Sequence, residues 1–151
     1  MIRILAIGKK HESWIEDGIE RYQKRLRKPF IVEWELLPHS SREGAMARQE
    51  ESERIRSRLG SDDFVLLLDE RGDLLDSPAL SSLFMQGLEA KARVTILIGG
   101  AYGVDDELRK QVDKIVSLSP LVFPHQLVRL IFLEQIYRSQ EIAAGAPYHH
   151  G

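Results

Sequence analysis

None of the 151 residues is a cysteine, which excludes disulfide staples and thiolate metal sites alike. An excess of charge is also missing: Lys+Arg 21 stand against Asp+Glu 23, a formal net charge of -2. Domains that hold nucleic acid by global charge are strongly basic, so this balance leaves room only for a local basic patch. No apolar run approaches the roughly 20 residues of a membrane helix. Met1 leads directly into the apolar pattern IRILAIG, so no signal peptide is expected. Internal repeats, low-complexity segments and domain linkers are absent too. The expectation is a cytoplasmic protein with no membrane segment and no metal, folded as one domain over residues 1–151.

What the chain does contain is an alternation of apolar runs and helical patterns. Strands are expected at 2–8, 30–37, 64–69, 94–100 and 114–119. Helices are expected at 11–28, from about 44 to Gly60, from Ser77 to about Lys91, at 104–113 and at 124–145. Ser77-Pro78 reads as an N-cap followed by proline at the first helical position. The acids of VDDELRKQVD fall in a first turn, where they complement the helix dipole. Strands apolar throughout and separated by helices imply an α/β fold, a mostly parallel sheet with helices on both faces.

Three strand ends carry candidate chemistry. ILIGGAYG (96–103) suggests a phosphate loop, but its spacing is G-G-x-x-G and it follows the fourth strand, not the first. No acidic residue closes a later strand to hold a ribose, so a dinucleotide fingerprint is not met. Asp69 ends the third strand, as a receiver-domain phosphoacceptor would. That site needs an acidic pair after the first strand, where Gly8-Lys9-Lys10 stand, and a lysine after the fifth, where Ser117-Leu118-Ser119-Pro120 stand. The third is SLSPLVFPHQLVR (117–129), whose apolar loop Pro120-Leu121-Val122-Phe123 separates a strand from a helix. Leaving Leu, Val and Phe exposed costs roughly 1.5–3 kcal/mol each relative to burial, so the loop requires a partner surface. All three segments lie at the carboxyl edge of the sheet, where open α/β sheets bind ligands. A glycine-rich backbone edge facing an apolar wall suits a flat aromatic ring such as adenine better than a phosphate.

The last helix is apolar on more than one face, through Leu127, Val128, Leu130, Ile131, Phe132, Leu133, Ile136 and Tyr137. Burial on most sides implies packing against a second subunit. Arg129 and Arg138 among them read as solvated or intersubunit charges, or as catalytic groups. RYQKRLRK (21–28) places Arg21, Lys24, Arg25, Arg27 and Lys28 at helical spacing, a solvated face or a phosphate-backbone patch. The terminal APYHHG offers Tyr148, His149 and His150, which can stack on a base or move protons.

VLLLDERG, ILIGGAYG, LSPLVFPHQLVR, the YR of the last helix and the terminal PYHH occur together, in order. In this the chain resembles, over its full length, the bacterial large-subunit ribosomal RNA methyltransferase H family, a minimal branch of the SPOUT class. The resemblance implies a SPOUT-type α/β knot, a deep C-terminal trefoil knot that no compositional argument would suggest. It implies a homodimer using S-adenosylmethionine as methyl donor. The implied acceptor is N3 of a pseudouridine in helix 69 of 23S rRNA, within the ribosome. Cofactor contacts then fall on Leu68, Gly99, Leu118, Ser119, Pro120, Leu121, Val122 and Phe123, the strand-end segments already singled out. Tyr148 and His149 fall on the substrate and catalytic side, as does Arg138. The chain departs from the family at His150, where a lysine or arginine is usual, and at Ala101-Tyr102. A SPOUT enzyme acting on another RNA such as tRNA, or a non-enzymatic nucleotide-binding dimer, would share much of this pattern.

Overall fold

Ile4 and Leu5 are neighbours in sequence but belong to opposite cores, because successive strand residues point to opposite faces of a sheet. The computed structural model describes residues 1–148. Its elements are β1 (Ile2–Ile7), α1 (Ser13–Gln23), β2 (Val32–Leu37), α2 (Gly44–Arg56) and β3 (Asp63–Leu74). They continue with α3 (Ser77–Ala90), β4 (Arg93–Ile98), α4 (Asp106–Gln111), β5 (Lys114–Ser117) and α5 (His125–Ala143). The five strands form one sheet in the order β2-β1-β4-β3-β5, every neighbouring pair parallel. The α/β class and the parallel sheet expected from the sequence are therefore observed.

One core holds Ile2, Ile4, Ile96 and Leu66 from the strands, with Ile15, Phe84, Phe132 and Ile136 from α1, α3 and α5. The other holds Leu5, Ile7, Leu67 and Leu97, covered by Ile55 of α2 and Leu108 of α4. Both faces of the central strands are buried, which is why their sequence reads as continuous apolar runs rather than an alternation. β1 illustrates this, with all of Ile2–Ile7 buried.

Several boundaries differ from the sequence expectation. The α3 cap is Asp76, one residue upstream of Ser77; its Oδ1 accepts from the Ala79 N–H at 2.9 Å, with proline in the first turn. Replacing Asp76 by alanine is expected to cost about 1 kcal/mol, read as a lower urea midpoint with unchanged slope. α1 ends at Gln23, not Lys28, so the basic run does not form one helical face. Beyond Lys24 the chain turns, and Gln140 of α5 pins it by accepting from the Arg27 N–H at 2.6 Å and donating to the Arg25 carbonyl at 3.1 Å. Arg27 also pairs with Glu141 at 3.3 Å. β3 extends past Asp69 because Leu68 and Asp73 both register with Val116, leaving Asp69 to Gly72 looped out of the ladder. Gly72 returns the chain so close to β5 that a Cβ there would lie 2.7 Å from the Ile115 backbone.

Arg129 departs most from expectation. It is neither solvated nor intersubunit but a core residue, 1% exposed. Its guanidinium donates to the carbonyls of Ile7 (3.0 Å), Gly8 (3.1 Å) and Lys10 (3.1 Å), tying α5 to the end of β1. Among the described residues, no helix is long and apolar enough to cross a membrane.

Candidate functional site

A cavity of about 550 Å³ opens at the carboxyl ends of β3, β4 and β5. Its walls come from three segments: the excursion after Leu68, the glycine turn after Ile98, and the connection from Leu118 into α5. Of the residues expected to contact a cofactor, Leu68, Gly99, Leu118, Ser119, Leu121, Val122 and Phe123 line it, and Pro120 does not. Parallel topology brings them together, since every strand delivers its following loop to the same edge.

The glycine turn is built for backbone approach. Gly103, at φ +71, reverses the chain, and its N–H donates to the Gly100 carbonyl at 3.0 Å. Gly100 is glycine for another reason: a Cβ there would lie 2.5 Å from Oε1 of Glu51. Glu51 reaches the turn from α2, is 3% exposed, and fixes its other oxygen on the Ser40 N–H at 2.9 Å. Its Oε1 is a buried oxygen with no hydrogen-bond partner. Gly100→Ala is expected to destabilise by roughly 1–3 kcal/mol through this overlap. Glu51→Ala in the same chain should restore part of the loss in melting temperature, a non-additivity reserved for side chains in contact.

The opposite wall is apolar and open. Leu121 and Val122 are 69% and 79% exposed, so the described chain does not cover the loop that the sequence requires to be covered. Its shape is set locally, by Ser117 Oγ donating to the Ser119 carbonyl (3.1 Å) and the Leu121 N–H donating to Ser119 Oγ (3.0 Å). The third wall is anchored by Asp69. One of its carboxylate oxygens accepts from the Arg71 N–H (2.8 Å) and Arg71 Nε (3.4 Å), and the other accepts from Arg109 of α4. Burial alone would raise its pKa, but the hydrogen bonds from Arg71 and Arg109 outweigh it and hold the carboxyl below its usual value. Asp69 is thus a strut of the cavity wall rather than a phosphoacceptor.

Tyr148 and Arg138 lie elsewhere. Both meet Glu134, whose Oε2 accepts from the Tyr148 hydroxyl at 3.0 Å and from Arg138 Nη2 at 2.9 Å. The Arg138 guanidinium sits 4.8 Å from the Tyr148 ring centre, and Tyr137 packs edge-on at 5.0 Å. Burial and the Glu134 carboxylate push the Tyr148 phenol up to about 12, so it is a proton donor at neutral pH, not a base. Neither residue lines the cavity of its own chain. Arg138 lies about 15 Å further along α5 than Val128, the last residue of the cavity wall. His149 and His150 lie outside the described residues.

Three side chains here were not singled out by the sequence. Arg109 and Glu51 sit in charged helical patterns whose residues mostly face solvent, so only the packing reveals them. His125, which lines the cavity at the start of α5, carried a signal in its position after an apolar loop and a proline. Among the described residues, no group of three His, Cys, Asp or Glu side chains could hold a metal ion.

The comparisons with known proteins agree on one family. Residues 1–149 match the family described as "Predicted SPOUT methyltransferase". The chain is similar to a protein named "Ribosomal RNA large subunit methyltransferase H" from Pelobacter propionicus, 39% identical, with 99% of each chain covered. Its similarity to the protein of that name from Geobacter metallireducens is 40%, covering 99% of this chain and 98% of the relative. With the one from Acetivibrio thermocellus it is 42%, covering 98% of both. A full-length match at these identities leaves no part of the fold outside the likeness: the chain belongs to the SPOUT methyltransferase family.

Proposed function

We propose that the protein transfers a methyl group from S-adenosylmethionine to N3 of a pseudouridine in helix 69 of 23S rRNA, acting on the ribosome in the cytoplasm. It does so as a homodimer whose chain, residues 1–151, is one catalytic domain with the family's deep C-terminal trefoil knot. The observation that carries the reading is the cavity, where a glycine backbone edge faces an uncovered apolar loop. The names borne by its relatives give the substrate class.

The residues present fit an adenosine-type methyl donor. Leu68, Gly99, Leu118, Ser119, Leu121, Val122 and Phe123 offer apolar walls and backbone hydrogen-bonding groups to a flat ring. Pro120 keeps the loop's path without entering the wall. A bound ring would also cover Leu121 and Val122, which are otherwise left in water. When bound, the donor supplies a methyl group already activated on a sulfonium, so the protein's part is alignment. Tyr148 and His149 orient the uracil ring, and Glu134 holds both the Tyr148 hydroxyl and Arg138 in place for this. Because Tyr148 and Arg138 stand apart from their own chain's cavity, the homodimer gives them a role at the partner's. Leu127 and Ile131 of α5, only partly buried, supply an apolar face for that association.

Incubation with labelled S-adenosylmethionine and intact ribosomes, free rRNA or tRNA, followed by mass mapping, tests the reading. Label on one helix 69 nucleotide of ribosomes is the expected result. Label on tRNA would place the enzyme on another RNA, and no donor binding by calorimetry would point to a non-enzymatic role.

A further inference from the structure

The cavity wall contains an imidazole with no assigned role. His125 is the first residue of α5 and lines the cavity beside Gly99, Gly100 and Val128. Gly99 is the backbone edge expected to meet the cofactor, and it lines the same cavity. A neutral imidazole carries one ring nitrogen whose lone pair can accept a proton.

Methylation at N3 of a uracil ring cannot finish with the N–H in place, so something must take that proton. The cavity's other side chains are poor acceptors. Asp69 already holds Arg71 and Arg109, and carboxylates as a class are weaker bases than imidazole. Tyr102 and Ser119 are neutral hydroxyls, and the phenol of Tyr148 holds its proton more tightly than an ordinary one.

We infer that His125 is the proton acceptor for the methylated nitrogen. This rests on the proposed function. In the step, the N3–H bond breaks and its electron pair forms the new bond to the methyl carbon. The proton passes to the free imidazole nitrogen and from there to water. The electrons of the methyl group's former bond stay with the donor's sulfur, which loses its charge.

The surroundings of His125 suit the role. Although the residue is exposed at the mouth, its pKa is lowered, first by burial of the ring, with the charges of Arg129 and His39 acting in the same sense. The Gly99 backbone and the Glu51 carboxylate oppose them. Below the ordinary histidine value the ring is unprotonated at neutral pH, ready to accept. Glu51 supplies the negative charge that favours the transient imidazolium.

The test is methyl transfer to ribosomes by wild type, His125→Ala and His125→Gln, across pH, with S-adenosylmethionine affinity measured on each by calorimetry. His125→Ala should lower the rate by about 10²- to 10⁴-fold, as loss of a general base does. Donor affinity should be retained, added imidazole should restore part of the rate, and the rise of rate with pH through the histidine range should disappear. In NMR of histidine-labelled protein, the His125 resonance should titrate below pH 6.5, and lower still in Glu51→Gln. A His125→Ala rate within threefold of wild type overturns the inference. So does a loss matched by weakened donor binding and not restored by imidazole, or a titration at or above pH 6.5. Wild-type protein that binds no donor would instead bring down the proposed function, and this inference with it.

Discussion

Arg129→Met is expected to lower the unfolding free energy by roughly 3–5 kcal/mol, among the largest effects of any single change in this protein. The guanidinium is 1% exposed and pairs with no carboxylate among the described residues. Its work is done on carbonyls: those of Ile7, Gly8 and Lys10, all at the end of β1, with His11 Nδ1 3.2 Å from Nη1. The hydrogen bonds to Ile7 and Gly8 are buried, whereas the Lys10 carbonyl also accepts from Gln126 Nε2 at 3.2 Å. Methionine fills much of the same volume but takes this donor from the Ile7 and Gly8 carbonyls, at about 1–3 kcal/mol for each buried group. Gly8 shares the site. At φ +124 it bends β1 away, and a Cβ there would lie 2.7 Å from Arg129 Nη2. Lysine at position 129 would bring a single ammonium in place of the planar fork and should recover only part of the loss. Urea unfolding of the three proteins, followed by circular dichroism, checks this. An Arg129→Met protein within 1 kcal/mol of wild type would show that the carbonyls find other donors.

Asp63→Ala should be comparably damaging at the opposite edge of the sheet. The Asp63 side chain is fully buried and accepts from Arg93 Nε (2.6 Å), Arg3 Nη2 (3.2 Å), Thr95 Oγ1 (2.8 Å) and the Gly60 N–H (2.8 Å). Removing it strands two arginines, one of them almost wholly buried, and breaking such a network costs roughly 3–5 kcal/mol. The same residue gives the fold an acid limit. Burial by itself would raise the Asp63 pKa, but hydrogen bonds from Arg93, Gly60 and Thr95 and the charge of Arg3 outweigh it, and the net shift is downward. With a folded pKa below the unfolded one, the unfolded chain binds more protons in that range. The contribution is therefore complete above about pH 4 and is lost as pH falls through the folded value. Asp63→Asn should unfold more easily at pH 7 and lose less stability than wild type between pH 4 and pH 2.

Both residues show where sequence reading stops. Arg129 stands in the apolar helix QLVRLIF, where a charged residue reads as a gap in the stripe facing water or a partner. Nothing local reveals that β1, more than a hundred residues earlier, ends there with its carbonyls exposed to the helix. Asp63, next to Asp62 at a turn, reads as a polar boundary, and its two arginine partners come from β1 and β4.

What the sequence determined by itself was whatever rests on periodicity and strand ends. Uninterrupted apolar runs between helical patterns dictate a parallel sheet buried on both faces. Parallel strands in turn deliver their loops to one edge, so Leu68, Gly99 and the loop from Leu118 to Phe123 were bound to meet. The apolar loop's need for cover was legible too, because the cost of exposing Leu121 and Val122 does not depend on the fold. Tertiary structure alone decided which polar groups are buried and with whom. It set Glu51 beneath Gly100, Arg109 on Asp69, and Tyr148 with Arg138 around Glu134, away from their own cavity. The physical reason is that hydrophobic burial is non-directional and written into local pattern, whereas a buried hydrogen bond requires two groups brought within about 3 Å. Only the completed packing of distant segments fixes such a distance.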